Sequence, residues 1–287
     1  MTAIDPSARY RRREQGLMLL LASPAVIVIL ALVVIPVGWL MTQSVYDNGF
    51  TLEHYRRIFS EDIYWRSFTL TFRIALIVTV MTLILGYPVA YAAAHVKRPW
   101  DVLILSFVIL PFWTSVLVRA YAWLVLLQRT GVTNQMLEGL GLITEPLALV
   151  HNELGTIIAT VHILLPFMVL PLYSTMQKIP RELMLAGASL GGGPLHSFLR
   201  IFLPLSLPGV VAGLTLVFVL TLGFYITPEL LGGGRTIMIS MVVSRNVELY
   251  NEWGAASAVG VVLLLCVLAI FMAVGRIIPL DKMLGQK

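Results

Sequence analysis

Six stretches of this chain are apolar for longer than a soluble domain requires: 16–41, 67–95, 102–126, 155–174, 205–228 and 255–278. A helix rising about 1.5 Å per residue needs roughly 20 such residues to cross a hydrocarbon layer of about 30 Å. Inside that layer an unpaired backbone amide costs several kcal/mol, so only helices and closed barrels can span it. Unbroken apolar runs without two-residue alternation specify helices. The expected fold is all-α and integral to a membrane, with six transmembrane helices in a single transmembrane domain over 1–287: a tail at 1–15, a core at 67–278 and one long polar-side loop at 178–204. The composition agrees, at 58% hydrophobic and 12% charged with mean hydropathy +0.88. The first stretch exceeds the roughly 7–15 apolar residues of a signal peptide, and no small-x-small cleavage site follows it. It is expected to be retained.

Positive residues near span ends favour the cytoplasm. With the N-terminus inside, the inner segments hold Arg9, Arg11, Arg12, Arg13, Lys97, Arg98, Lys178, Arg181, Arg200, Arg276, Lys282 and Lys287. The outer loops hold only Arg56, Arg57, Arg66, Arg129, Arg235 and Arg245. Both termini and the 178–204 loop are therefore expected in the cytoplasm, with the N-terminal arginines able to touch anionic lipid. The net charge of +5 is accounted for by this bias and calls for no nucleic acid. The single cysteine, Cys266, lies in the sixth span and excludes an internal disulfide.

The loop KIPRELMLAGASLGGGPLHSFLRIFLP, Lys178 to Pro204, carries most of the functional information. Pro180 suits a helix start, Arg181 to Leu190 can form about three turns, and Gly191 to Gly193 end it where positive φ is needed. A second, membrane-surface helix is expected from Pro194 to Pro204. Its apolar face would be Leu195, Phe198, Leu199 and Phe202, opposite His196, Ser197 and Arg200.

Elsewhere, Arg73 costs about 2.5–3.5 kcal/mol at a bilayer centre, outweighed by apolar neighbours at about 0.3–0.6 kcal/mol each. It either snorkels outward or faces a pore. In the third span Pro111 interrupts regular bonding, and Trp113, Arg119, Tyr121 and Trp123 form either an interfacial belt or a cavity wall. A short helix is expected over Asn134–Leu140. A stripe of Ile237, Met238, Met241 and Val242 is too short to cross and reads as an interfacial or re-entrant helix. The first outer loop, 42–66, is long enough to help dock an external partner. The five histidines have no ligand-like spacing, and there is no G-x-x-x-x-G-K-[ST], so any ATP is hydrolysed on another chain. A secondary transporter would be expected to hold several mid-membrane acids. An intramembrane enzyme needs a Ser/His, paired-Asp or metal constellation. Neither pattern is present.

The Lys178–Pro204 loop resembles the cytoplasmic EAA loop of permease subunits of bacterial binding-protein-dependent ABC importers, whose pattern is E-A-A, three residues, G, nine residues, I-x-L-P. Ile201–Pro204 matches its end, Gly191 its glycine, and Leu185, Ala186 and Gly187 its triplet. Leu185 replaces the family's glutamate, with Glu182 one turn earlier. LPFWTSVLVRAYAW at 110–123, ILLPFMVLPLY at 163–173, ITPELLGGGRTIMIS at 226–240 and EWGAASAV at 252–259 are similar to spermidine/putrescine-type permeases.

The resemblance implies a type I ABC importer permease in the bacterial inner membrane. It would be paired with a second permease, two cytoplasmic ATPases that hold ATP and Mg, and a periplasmic solute-binding protein. It implies no catalytic residue or metal here. Arg181, Glu182, Leu185, Ala186, Gly187, Ser189, Leu190 and Gly191 would couple to the ATPase, with the small residues permitting close approach. Trp113, Arg119, Tyr121, Trp123, Tyr225 and Glu229 would line the solute path. The expected solute is a polyamine, for which Glu229 and the aromatics are suitable partners. Arg73 and Arg119 argue instead for an opine, a phosphonate or another anionic or zwitterionic solute.

Overall fold

The computed structural model describes residues 6–46 and 49–277, all helices and turns apart from one isolated bridge between Tyr46 and Phe50. In chain order the helices are α1 (Pro6–Gln43), α2 (Glu53–Ser60), α3 (Asp62–His95), α4 (Trp100–Ile109), α5 (Val116–Leu127), α6 (Val132–Gly139), α7 (Glu153–Met176), α8 (Arg181–Ser189), α9 (Pro194–Ser197), α10 (Leu203–Leu222), α11 (Ile226–Leu231), α12 (Ile239–Glu248) and α13 (Trp253–Ile277).

Among the described residues five helices are long and apolar enough to span alone: Leu20–Gln43, Asp62–His95, Glu153–Met176, Pro194–Leu222 and Trp253–Arg276. The expected third span is not one rod. Trp100–Trp113 and Val116–Gly139 meet at a bend of 99°. Pro111 lacks the N–H that would continue α4, the chain tightens into one 3-10 turn over Leu110–Trp113, and Thr114 is extended. Ser115 then caps a new helix, its hydroxyl accepting the Leu117 N–H at 3.3 Å. The six-span expectation thus holds as five helices and one broken pair.

The helix of the first span begins within the 1–15 segment. Residues 1–5 and 278–287 lie outside the described residues, and the backbone from Pro6 is already continuous with the first span.

The core sits where α3, α7 and α10 meet. Over half of the α7 span is buried (56%), against none of the first (0%), so α7 is the axis and α1 a peripheral helix. Without a hydrophobic force between helices in lipid, close backbone approach through small residues holds them together. A Cβ on Gly213 would lie 2.6 Å from Met168 Sδ, and one on Gly209 would lie 2.8 Å from Thr175 Cβ. Gly86 of α3 meets the same Met168 from the other side. Met168, Val169, Leu172, Ile74, Val78 and Val217 fill the centre.

Short helices pack around the spans. α6 covers the expected Asn134–Leu140 segment, with Asn134 bonded to the backbone of Gln128 and Leu147. The expected short helix carrying Ile237, Met238, Met241 and Val242 is α12, which begins only at Ile239; Met238, Met241 and Val242 are buried, and Ile237, half-buried, lies before the helix. Its first N–H, on Ile239, donates to Thr71 Oγ1 at 2.8 Å, which pairs an otherwise orphaned donor. α2 is pinned to the start of α13 by Arg57, which bonds Glu61 at 2.7 Å and Glu252 at 2.5 Å.

Candidate functional site

The first site is the 178–204 loop. α8 ends as its glycines predict. Gly191 adopts φ +82, its N–H donates to Ala188, and the Gly192 N–H reaches back to Gly187 at 3.0 Å. This pair of bonds is a Schellman motif and satisfies the last carbonyls of α8.

The expected second surface helix is different. α9 passes without a break through a π turn at Phe198–Phe202 into α10, so Pro204 lies inside the continuous Pro194–Leu222 helix instead of ending one. The wider π turn also divides the expected apolar face. Phe198 and Phe202 stack with centroids 5.8 Å apart and face Tyr91, while Leu195 and Leu199 remain exposed. Ser197, expected on the polar face, is buried under α8.

α8 has two sides. Met184 packs toward the core, and a Cβ on Gly187 would stand 2.7 Å from Ile201 Cδ1 and 3.0 Å from Ser197 Oγ. The small residue at 187 therefore sets how closely α8 lies on its own chain. Arg181, Glu182, Leu185, Ala186, Ser189, Leu190 and Gly191 are exposed, Leu185 at 67% and Leu190 at 89%. Apolar side chains this bare on the polar side of a membrane protein leave α8 with an unpartnered greasy ridge.

Behind α8 lies a cleft of about 350 Å³ between Tyr91, His95, Pro180, Met184, Leu185 and Phe202. Arg181 Nη2 donates to the His95 carbonyl at 3.2 Å. His95 lies 4.1 Å from the Tyr91 ring, and Tyr87 bonds Ser206 at 2.9 Å. Sequence reasoning missed this aromatic row. Its signal was available, since Tyr87, Tyr91 and His95 recur at i, i+4 and i+8 on one face of α3. α8 is thereby joined to α3, and through Tyr87 and Ser206 that row of α3 is joined to α10.

The second site is the break between α4 and α5. Of the expected path residues, the structure brings Arg119 and Trp123 together on the inner face of α5, against α7 and α11. Trp123 Nε1 donates to His162 Nδ1 at 3.1 Å. His162 was passed over as one of five scattered histidines, although an ionisable residue in the middle of an apolar span was a signal in itself. Trp113 and Tyr121 point to exposed faces, at 86% and 48%. Tyr225, half-buried, packs on the core just before α11, and Glu229 is exposed on α11. Arg73, about three turns into α3, is ion-paired with Glu153 at the start of α7, which removes it as a free charge in a path. Among the described residues no cluster of His, Cys, Asp or Glu could hold a metal ion.

Comparison with known proteins agrees with this geometry. Residues 83–279 match the family model of the binding-protein-dependent transport system inner membrane component. The chain is similar to the spermidine/putrescine transport system permease protein PotB of Haemophilus influenzae, with 33% identity over 228 residues that cover 78% of each chain. It is 36% identical to PotB of Escherichia coli over 212 residues, or 73% of this chain and 77% of that one. A bacterial alginate ABC transporter, solved in complex with an alginate pentasaccharide-bound periplasmic protein, shares the fold at TM-score 0.71 and 17% identity, covering 96% and 97% of the two chains.

Proposed function

The chain belongs to the binding-protein-dependent transport system inner membrane component family, and from that premise we propose that it forms half of the solute path of an ATP-driven polyamine importer. It is a multi-pass permease subunit of an ABC importer. The observation that carries the finer reading is its likeness to two spermidine/putrescine permeases over most of its length. Residues 1–287 act as one transmembrane domain with both termini in the cytoplasm.

ATP and Mg are held by two separate ATPase subunits. α8 docks against one of them through Leu185, Leu190 and the exposed small residues, with Glu182 and Arg181 supplying charge where Leu185 replaces the family's glutamate. The π turn and the Tyr87–Tyr91–His95 row carry that motion to α3 and α10. A second permease completes the path, which Trp113, Arg119, Tyr121, Trp123, Tyr225 and Glu229 line. A periplasmic binding protein delivers the solute from outside.

The test is reconstitution of the chain with its neighbouring permease, ATPase and binding-protein subunits in vesicles. ATP-dependent uptake of labelled putrescine or spermidine is expected. ATP hydrolysis stimulated by the loaded binding protein, with no polyamine entering, overturns the polyamine reading. A second reading, a solute carrying a carboxylate as well as an amine, is favoured by the buried charge of Arg119.

A further inference from the structure

Arg119 is 8% exposed, and its Nε and Nη1 are enclosed without an acceptor. Two other guanidinium groups have partners, Arg73 with Glu153 and Arg57 with Glu61 and Glu252, and Arg56, Arg129 and Arg235 are exposed to solvent. A buried guanidinium gives up its hydration and recovers the loss only through hydrogen-bonded counter-charge.

The surroundings of Arg119 do not provide one. Trp123, one turn on, spends its N–H on His162 Nδ1. That bond makes Nδ1 the acceptor and leaves the ring proton on Nε2, so His162 presents a donor to its other side. The cluster thus consists of donors. Among the described residues no carboxylate pairs with Arg119, and the acids of the spanning segments stand near segment ends: Asp62, Asp101, Glu138 and Glu153.

We propose that Arg119 is the receptor for one carboxylate supplied from outside this chain, by the solute or by an acidic side chain of the second permease. The guanidinium fork matches a carboxylate in two parallel hydrogen bonds. One fixed positive charge balances a carboxylate and leaves a phosphate dianion half-paired. The inference rests on the permease reading above.

The experiment uses the whole importer in vesicles, with labelled putrescine and labelled 4-aminobutanoate as probes that share a length and an amine and differ in the carboxylate. Arg119→Gln is compared with the native importer. If the solute supplies the group, the native importer takes up 4-aminobutanoate, and its KM rises at least about 30-fold in the variant, as for truncating one side of a buried charge pair. If the second permease supplies it, kcat falls at least about tenfold for every solute carried with KM unchanged, and neutralising one acid in that subunit's spans restores it. Uptake within about twofold of native for all probes overturns the proposal.

Should Arg119→Gln fail to assemble, Arg119→Lys decides the matter. It keeps the charge and loses the fork, so a change in KM for 4-aminobutanoate or in the common kcat supports the proposal, and native kinetics overturn it. Absence of any ATP-dependent uptake by the native importer would instead refute the permease reading for these probes, while native uptake that ignores Arg119 refutes the inference alone.

Discussion

Arg181 Nη2 donates to the carbonyl of His95 at 3.2 Å, so the first turn of α8 is tied to the last turn of α3. The bond is exposed, and its removal should cost the fold less than about 0.5 kcal/mol, as for ordinary surface substitutions. Its value is positional, because it lies on the route from α8 to the aromatic row of α3. Arg181→Ala is expected to leave expression and melting unchanged and to lower solute uptake per ATP hydrolysed by about fivefold, the low end of coupling energies. Measuring uptake and phosphate release on the same vesicles checks it, and an unchanged ratio would remove Arg181 from the route.

Gly187 gives a sharper test. Its missing Cβ would meet the flexible end of Ile201 at 2.7 Å and Ser197 Oγ at 3.0 Å. Gly187→Ala should be tolerated by a small shift of Ile201, whereas Gly187→Val overfills the contact by about 1–3 kcal/mol and lifts α8. Uptake should fall in the valine variant and recover when Ile201→Ala is added. Failure of the double variant to recover would show that Gly187 matters through some contact other than Ile201.

These two residues also show what the sequence could disclose. The stop at Gly191 was legible because three glycines after a three-turn amphipathic segment have a local physical meaning, and the six spans were legible because bilayer thickness sets their length. The 99° break was legible only as a proline. Its size depends on Ser115 capping a new helix, which requires knowing that Thr114 is extended. The π turn left no local signal, since its register is set by Phe198 and Phe202 packing on Tyr91. Arg119 and Trp123 were found by composition within a span. Their third member, His162, comes from α7 and becomes a neighbour only once α5 folds across it.

The glycines of α10 should differ in tolerance. At Gly209 a Cβ would lie 2.8 Å from Thr175 Cβ and 3.0 Å from the Pro171 carbonyl, both fixed by α7. At Gly213 the nearest atom, 2.6 Å away, is the Sδ of Met168, an unbranched side chain that can swing aside. Gly209→Ala is expected to destabilise by about 1–3 kcal/mol and Gly213→Ala by less than about 1.5 kcal/mol. Thermal unfolding of the two variants in one detergent should give a lower Tm for Gly209→Ala. The reverse order would contradict the packing described for α7 and α10.

The Arg57 ion pairs make a prediction about pH. Burial by itself would lower the pKa of this guanidinium, but its hydrogen bonds to Glu61 and Glu252 outweigh that and hold it above its ordinary value. A group whose folded pKa is raised contributes stability that is complete below its unfolded pKa and is lost only as pH rises through the folded one. For Arg57 both lie above the range in which the protein is handled. Arg57→Gln should therefore loosen α2 from the start of α13 by less than about 1 kcal/mol, given that the pair is more than a third exposed. The loss should be equal at about pH 6 and about pH 9. Hydrogen exchange of the α2 amides in native and variant protein, corrected for intrinsic rates, measures it at both values. A difference between the two that grows with pH would mean that a group other than Arg57 controls the docking of α2.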